Sequence, residues 1–372
     1  MRIIELVAER DDLHAFVVID HDHFPVCAGG TRMLADVDVP EVARLARAMT
    51  WKFAAFGVPY GGAKAGVRFG GRDRAAVLAA YRRALEPYRE VFLTGPDMGT
   101  FPQDFLAGGE DPLPLWARTH EGLGMDDLAT GHGVKAAAEA ALAHLGRPLV
   151  GAAVAIEGFG KVGAGAARAF QRAGARVVGV STVAGLVIDS DGLAVEELIA
   201  LRNRYGDRFV DHAGTPARAR EELFELDCDV LVPGARPDSI SRDVAHRVRC
   251  AVVAPAANAP YAAGAIEVLH GRRIIGVPDF LANAGGVHLY VSVTDKDTPD
   301  TALAVIEQKI REVVARTLAT ADERAITPIA AALQDGRAYV AQATDAPDQA
   351  LNELFAATPA IADRRDRSND LA

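Results

Sequence analysis

The stretch AAVAIEGFGKVGAGAARAFQRAGARVVGVST, residues 152–182, decides the fold of the central part of the chain. An apolar run is followed by GxGxxG at Gly158, Gly160 and Gly163, then by a segment with helical spacing and a second apolar run. Glycines in this context make a tight turn, let the backbone approach a pyrophosphate and allow close helix packing. The stretch therefore predicts a strand, a turn, a helix and a second strand that together bind a dinucleotide.

The same stretch predicts which residues touch that cofactor. The pyrophosphate is expected at the N terminus of the helix, where backbone N–H groups attract anions. Ser181 and Thr182 end the second strand, where an acidic residue would select NAD, and no arginine follows directly to pair with the 2′-phosphate of NADP. Neutral hydroxyls can serve either cofactor, and we predict NAD, with NADP as the alternative. The predicted loop contacts are Gly158, Phe159, Gly160, Lys161, Val162 and Gly163.

Alternation of strands and helices continues beyond this stretch. Strand-like runs recur in CDVLVPGA (228–235), CAVVAPAAN (250–258) and RIIGVPD (273–279). Such alternation predicts an α/β fold with a parallel sheet covered by helices on both faces. We assign residues 129–326 to this Rossmann NAD(P)-binding domain, with a long helix over about 301–321 near its end.

Composition and charge argue against several kinds of binding partner. The chain has 372 residues, which favours two domains. A net charge of −10 and a pI near 5.5 argue against nucleic acid as a partner, because phosphate binding needs a basic surface. Three widely spaced cysteines match neither a disulfide framework nor a zinc site, and no apolar stretch is long enough to cross a membrane. We expect a cytoplasmic protein with no nucleic-acid, membrane or metal partner.

The N-terminal third contains a lysine in an unusual setting. VPYGGAKAGV, residues 58–67, surrounds Lys64 with small and apolar residues. A phosphate-binding P-loop is excluded, because that motif needs serine or threonine after the lysine and Ala65 stands there. A solvated surface residue is the simple alternative for a single lysine.

Two neighbouring motifs favour a catalytic role for Lys64. Lys52 ends MTWK, and Asp97 lies in TGPDMGT. A 2-amino acid needs a fixed cation for its carboxylate, and its oxidation by hydride transfer gives an imine that water attacks with the help of a general base. A lysine beside another cation can have its pKa lowered enough to be that base. We predict Lys52 as the carboxylate anchor, Lys64 as the base and Asp97 as the partner of the amine.

With these motifs the chain resembles the amino acid dehydrogenase superfamily of glutamate, leucine, phenylalanine and valine dehydrogenases. The resemblance covers about residues 14–340. It implies a homo-oligomeric enzyme that reversibly converts an L-amino acid into a 2-oxo acid and ammonia. It also implies an N-terminal α/β substrate domain and a Rossmann domain with a cleft between them. The matching segments are AGGTRM (28–33), MTWKFA (49–54), VPYGGAKAGV (58–67), TGPDMGT (94–100), ATGHGV (129–134), EGFGKVG (157–163), APAANAP (254–260) and PDFLANAGGV (278–287).

The resemblance also implies residue roles and domain limits. Lys64 would be the catalytic lysine, Lys52 the ligand of the substrate carboxylate and Asp97 the catalytic acid. The substrate domain would span residues 1–128, a helix over about 327–345 would return to it, and 346–372 would be a tail without a counterpart.

Four residues of the predicted Rossmann domain receive cofactor roles from the resemblance. Thr130 would touch the nicotinamide amide, and Asn283 would lie close to the nicotinamide ring. Asn258 would lie between the nicotinamide and the substrate, and Ala235 would also contact the cofactor.

The predicted substrate pocket is not acidic. Glutamate dehydrogenases carry a lysine directly before the first GG, where this chain has Ala28. A substrate carboxylate facing Ala28 would be desolvated without a partner, at a cost of several kcal/mol. Ala28 and Gly95 enlarge the pocket as in phenylalanine dehydrogenases, whereas Tyr290 either refills that space or binds a polar group. We predict a large apolar or aromatic substrate. The pocket residues are Ala28, Gly29, Gly30, Gly95, Asn258, Val287 and Tyr290.

Two other functions stay open, and no catalytic or metal-binding role is predicted for Arg32, the HDH motif or His132. The alternatives are a glutamate dehydrogenase with a rearranged pocket and a non-catalytic amino acid or nucleotide sensor on the same fold. Arg32 is expected to be an ion-pair partner and not a catalyst. The HDH motif at His21–His23 is interpreted as a solvated turn and not as a metal site, and His132 as a neighbour of the nicotinamide threonine.

Overall fold

The computed structural model describes residues 1–8, 12–71, 73–106, 113–214, 216–294 and 296–345. They form two compact units. The N-terminal unit contains Met1–Ala117 and the described chain from Leu333 onward, and the central unit contains Arg118–Ala332. The limits of these units differ from the predicted domain limits by about ten residues at 128/129 and six at 326/327. The predicted tail, 346–372, lies outside the described residues.

The N-terminal unit is built on a mixed sheet. Its elements are β1 (Arg2–Ala8), β2 (Leu13–Ile19), β3 (Cys27–Leu34), α1 (Val39–Ala55), β4 (Gly61–Arg68), α2 (Arg74–Leu85), β5 (Phe92–Pro96) and, at the other end of the chain, the part of α11 (Pro328–Asp345) that starts at Leu333. The sheet has the order β1-β2-β4-β3-β5. β2 runs antiparallel to β1 and β4, whereas β3 runs parallel to β4 and β5.

The two faces of β4 have different neighbours. Ala63, Ala65 and Val67 point into a core with Tyr81 of α2 and Tyr339 of α11. The alternate residues of β4 face α1. The Asp38 side chain caps the start of this helix by accepting a hydrogen bond from Glu41 N at 2.8 Å. This alternation places Lys64, an even-numbered residue of β4, on the α1 face.

The central unit has the strand and helix order expected of a dinucleotide-binding fold. Its elements are β6 (Thr119–His120), β7 (Leu123–Gly124), α3 (Met125–His144), β8 (Ala153–Glu157), α4 (Lys161–Arg172), β9 (Arg176–Thr182), β10 (Gly185–Ile188), α5 (Val195–Tyr205), β11 (Val230–Pro233), α6 (Arg242–Arg247), β12 (Val252–Val253), α7 (Ala265–Gly271), β13 (Ile275–Gly276), α8 (Asp279–Ala282), α9 (Gly285–Val291) and α10 (Pro299–Arg324). The main sheet has the order β10-β9-β8-β11-β12-β13.

One strand corrects the prediction of a parallel sheet. β10 pairs antiparallel with β9, whereas the other described pairs of this sheet are parallel. Two residues, 183 and 184, join β9 to β10. A parallel crossover needs a dozen or more residues, so this short connection can only form a hairpin.

The two longest helices of the central unit pack on each other. α10 is longer than the predicted 301–321, because the Thr298 side chain caps its start by accepting a hydrogen bond from Thr301 N at 3.2 Å. α3 passes close to its neighbours at two glycines. A Cβ on Gly131 would lie 2.3 Å from Ala166 N of α4, and one on Gly133 would lie 2.7 Å from Cδ1 of Ile310 in α10.

Candidate active site

The predicted base and acid form an ion pair in the N-terminal unit, in which Lys64 is buried and Asp97 is half-buried. Nζ of Lys64 in β4 lies 3.0 Å from Oδ2 of Asp97, which follows β5. Arg32 in β3 donates from Nε to the same oxygen at 3.2 Å and also pairs with Glu41 of α1. The side chains of Lys64 and Arg32 are 11% and 12% exposed. The prediction that Arg32 is an ion-pair partner is confirmed.

Asp97 is ionised at neutral pH. Burial opposes its charge, but the Lys64 ammonium and the Arg32 guanidinium outweigh burial and lower the pKa of this carboxyl to about 2. The backbone of Asp97 is fixed as well, because its N–H donates to Thr100 Oγ1 at 2.8 Å and that hydroxyl donates to Thr31 O at 2.8 Å. The chain therefore holds an anion between two cations on the same sheet.

The glycines of β3 make room for this ion pair. A Cβ on Gly30 would lie 2.9 Å from Cβ of Asp97 and 3.1 Å from Nζ of Lys64. A Cβ on Gly29 would lie 1.7 Å from the carbonyl oxygen of Ala63 in β4. A side chain at either position would displace the ion pair or the strand beneath it.

Lys52 lies in the last turn of α1 and is 8% exposed. Asp20, at the end of β2, holds this helix by accepting a hydrogen bond from Thr50 Oγ1 at 2.9 Å. The same hydroxyl accepts from Gly62 N of β4 at 3.2 Å. One threonine thus ties the helix that carries Lys52 to the strand that carries Lys64. Sequence reasoning missed Asp20, because no motif spacing connects it to either lysine.

The position predicted to select the substrate lies on the Lys64 face of the sheet. Ala28 of β3 is the register partner of Gly62 in β4, and Gly30 is the partner of Gly95 in β5. Register partners in parallel strands point to the same face. The half-buried methyl group of Ala28 therefore contributes an apolar surface to the face that carries Lys64.

The GxGxxG segment forms the turn between β8 and α4 in the central unit. Gly158 has φ +85°, a conformation that suits glycine, and the N–H groups of Gly158 and Phe159 donate to Ser181 O at 3.0 Å. A Cβ on Gly163 would lie 1.9 Å from Gly158 O, whereas one on Gly160 would have no atom within 4 Å. The open space at Gly160 adjoins the N terminus of α4, which fits a bound pyrophosphate.

A segment that sequence reasoning missed supports this turn. The 3₁₀ segment Gly206–His212 places the Phe209 ring 5.2 Å from the Phe159 ring, and both rings are buried. Its Asp207 carbonyl accepts a hydrogen bond from Thr182 Oγ1 at 2.8 Å. The Thr182 hydroxyl therefore binds backbone, and Ser181 next to it is buried at the end of β9.

The residues predicted to hold the nicotinamide lie in α3 and after α8. Thr130 Oγ1 donates to Asp126 O at 2.9 Å. Asn283 Nδ2 donates to Ala257 O at 3.0 Å, and its Oδ1 is buried without a hydrogen-bond partner among the described residues. Asn258 is exposed beside Ala257. A buried amide oxygen that lacks a donor fits a ligand with an N–H group, such as the nicotinamide carboxamide.

The remaining predicted residues of the central unit lie at the surface or on a short helix. Lys161 and Val162 start α4, and Ala235 is exposed after β11. Val287 and Tyr290 are half-buried on α9.

The predicted site residues thus form two groups, one in each unit. The N-terminal unit holds Ala28, Gly29, Gly30, Lys52, Lys64, Gly95 and Asp97, and the central unit holds Thr130, Gly158, Phe159, Gly160, Lys161, Val162, Gly163, Ser181, Thr182, Ala235, Asn258, Asn283, Val287 and Tyr290.

His132 belongs to an ion-pair network between α3 and α10. Its Nδ1 lies 2.6 Å from Oε1 of Glu307, whose other oxygen lies 2.6 Å from Nζ of Lys135. Burial opposes ionisation of Glu307, but hydrogen bonds from these two residues outweigh it and lower the pKa of Glu307. The network fastens the helix that carries Thr130 to α10.

The described residues contain neither a metal-binding cluster nor a membrane-spanning helix. No cluster of histidine, cysteine, aspartate and glutamate in that part of the chain has the arrangement of a metal site. None of the described helices combines the length and apolar character that a membrane crossing requires.

The fold and the two groups of residues define a class of protein. The Lys64–Asp97 ion pair and the glycine turn lie in the motifs by which the chain resembles amino acid dehydrogenases. The family model described as Glutamate/Leucine/Phenylalanine/Valine dehydrogenase matches residues 122–347, and the model of that family's dimerisation domain matches residues 4–107. The chain belongs to the Glu/Leu/Phe/Val dehydrogenase family.

Relatives and solved structures agree with this assignment. Glutamate dehydrogenase A2 of Halobacterium salinarum is 35% identical over 277 residues, which is 70% of this chain and 66% of the relative. Glutamate dehydrogenase of Thermotoga maritima is 36% identical over 313 residues, 77% of this chain and 74% of the relative. The hetero-hexameric glutamate dehydrogenase of Thermus thermophilus, solved in a leucine-bound form, superposes with a TM-score of 0.78 at 25% identity, over 92% of this chain and 88% of that one. The chain therefore spans about two thirds of the length of the first of these relatives.

Proposed function

We propose that this protein is an NAD-dependent dehydrogenase of a non-acidic L-amino acid, with a large apolar or aromatic side chain favoured. The products would be the 2-oxo acid and ammonia. The observation that carries the proposal is the Lys64–Asp97 pair, with 3.0 Å between Nζ and Oδ2, bordered by glycine in β3. Family membership supports the reaction class.

The residues of the N-terminal unit suit the proton transfers of this reaction. Lys52 would bind the substrate carboxylate. Asp97 rests as an anion, so it first attracts the substrate ammonium and then accepts the proton that the nitrogen loses. An oxidised nicotinamide dinucleotide held by Gly158–Gly163 would supply the acceptor for the hydride that leaves the substrate Cα. Lys64 would first release its own proton to solvent, and its neutral amine would then remove a proton from the water that attacks the resulting imine. Asp97 would return its proton to the departing ammonia.

The residues of the central unit would hold the dinucleotide. Gly158–Gly163 would receive the pyrophosphate, and Thr130 and Asn283 the nicotinamide carboxamide. NAD is favoured over NADP, because Arg208 in the segment beside β9 donates to Asp211 at 3.0 Å and so already has an anionic partner. NADP is the competing cofactor.

Ala28 carries the substrate preference. Its methyl group lies on the Lys64 face, and the side-chain carboxylate of a glutamate substrate that faced this methyl group would lose water without gaining a cation of its own. The test is a panel of L-amino acids with NAD and with NADP, read as kcat/KM. We expect phenylalanine, leucine or a related substrate to exceed glutamate, and NAD to exceed NADP.

A glutamate-specific enzyme is the second candidate, because the relatives named above are glutamate dehydrogenases. An Ala28→Lys variant separates the two candidates. In the non-acidic enzyme the new ammonium should raise kcat/KM for glutamate and lower it for apolar substrates. Ala28→Met is the matched control, since it adds length without charge. Higher turnover of glutamate than of every apolar amino acid by the unaltered protein would decide for the second candidate.

We also propose that the protein is a cytoplasmic homo-oligomer. Assembly is supported by the dimerisation-domain model, which matches residues 4–107, and by the Thermus relative, which is a hetero-hexamer. Light scattering of the purified protein tests the assembly.

A further inference from the structure

The main sheet of the central unit has one point where the strand order reverses. β8 lies between β9, the next strand of the same β-α-β unit, and β11, which begins more than 70 residues later. In open α/β sheets, ligands bind at such a reversal, in the crevice outside the carboxyl ends of the two strands. Glu157 ends β8 and Pro233 ends β11, and these two residues are register partners. Glu157 therefore lies at the base of that crevice.

The side chain of Glu157 extends toward the β11 side of the crevice. Its Oε2 lies 3.5 Å from the N–H of Ala235, at the outer limit of hydrogen-bond distance. The residue is 9% exposed. Burial raises the pKa of Glu157. Contacts with Ser239, with the amides of Ala235 and Gly234 and with the charge of Arg236 oppose that shift only in part. A carboxylate has about four acceptor positions, so Glu157 keeps capacity for a further donor.

The direction of the side chain indicates which half of a dinucleotide meets it. The pyrophosphate is expected at the N terminus of α4, and the adenosine ribose at the end of β9. If the adenosine lies at β9 and the pyrophosphate at the glycine turn, the nicotinamide-side half of the dinucleotide lies on the β11 side of the crevice. That half has no negative charge beyond the pyrophosphate, but its ribose carries two hydroxyl donors.

We propose that Glu157 binds a hydroxyl of the nicotinamide-side ribose of the dinucleotide. This assignment rests on the proposed function and gives a role to Glu157, the first residue of the segment EGFGKVG, which received no role above. The carboxylate accepts the hydroxyl hydrogen, so the crevice holds the ribose by a charge-assisted hydrogen bond while the glycine turn holds the pyrophosphate.

The test compares two ligands that differ by that ribose. ADP ends at the second phosphate, and ADP-ribose adds the ribose without the nicotinamide. Their dissociation constants are measured by calorimetry on the full chain, with no substrate present. For Glu157→Ala we expect the affinity for ADP-ribose to fall about tenfold and the affinity for ADP to stay within about twofold. Glu157→Gln keeps the shape and a neutral acceptor, so its loss for ADP-ribose should be smaller, about threefold.

Controls separate this inference from the proposed function and from a structural effect. Glu221→Gln alters an exposed carboxylate of the same unit and should leave both affinities unchanged. Equal losses for ADP and ADP-ribose, or no loss for either, would overturn the role of Glu157, because the carboxylate would then only support the loop after β11. If Glu157→Ala does not fold, Glu157→Gln decides by the same comparison. Failure of the unaltered protein to bind NADH, ADP-ribose and ADP would instead contradict the proposed function.

Discussion

The two glycine-rich segments of this chain use glycine for different physical reasons. In β4, Gly62 lies under α1, where a Cβ would be 2.1 Å from Ala46 O and 2.3 Å from Thr50 N. In the turn after β8, Gly158 is needed for its φ of +85°, and Gly160 leaves space that no described atom fills. The first segment is therefore packed by the protein itself, whereas part of the second leaves open space, which we assign to the proposed pyrophosphate. Substitutions should separate these two uses of glycine.

The largest expected effect is the loss of turnover when β4 keeps its fold but loses the charged side chain of Lys64. Lys64→Ala removes the proposed base, and general base catalysis contributes about 10²- to 10⁴-fold, so we expect kcat to fall about 10³-fold. NADH affinity should stay unchanged, because Lys64 belongs to the N-terminal unit. Stopped-flow absorbance gives kcat, and NADH fluorescence gives the affinity. Lys309→Ala on exposed α10 surface is the control, and equal losses in both variants would contradict a catalytic role.

The second effect is on stability, in the same segment. Gly62→Ala would drive a Cβ into the backbone of α1, so the helix must shift and the Thr50 hydrogen bond to β4 is lost. We expect the free energy of unfolding to fall by about 2–4 kcal/mol, measured by urea denaturation. Gly70→Ala is the matched control, since no atom lies within 4 Å of its added Cβ. Similar urea midpoints for the two variants would show that Gly62 is not packed as described.

The third effect concerns pH. The pKa of Asp97 is lowered from 3.8 to about 2, so its ion pairs add stability that is complete above pH 3.8 and is lost as the pH falls toward 2. The difference corresponds to about 2 kcal/mol. Urea unfolding between pH 2.5 and 6 should therefore show a smaller acid-dependent loss in Asp97→Asn than in the unaltered protein. Asp36→Asn, at an exposed position, should keep the original pH dependence, and an unchanged profile in Asp97→Asn would contradict the ion-pair geometry.

Sequence alone predicted features that depend on local spacing. The glycine turn, the strand and helix around it, and the grouping of Lys64 with Asp97 all follow from short motifs. Asp20 and Phe209 could not be found in this way, because each acts through contact with residues about 30 or more positions away and neither lies in a spacing pattern. β10 was not predicted, since the expected alternation of strands and helices does not reveal a hairpin strand that only two residues separate from β9.

The smallest expected effect on stability is that of a substitution at Gly160, in the turn after β8. Gly160→Ala adds a methyl group where no atom lies within 4 Å, and its φ of −72° suits alanine, so the free energy of unfolding should stay within about 0.5 kcal/mol. The methyl group enters the space assigned to the pyrophosphate, and we expect NADH affinity to fall about tenfold. Gly271→Ala, also without a neighbour within 4 Å, should change neither quantity. Unchanged NADH affinity in Gly160→Ala would mean that the open space is not the pyrophosphate site. Lowered stability would mean that this glycine, like Gly62, is required by the fold itself.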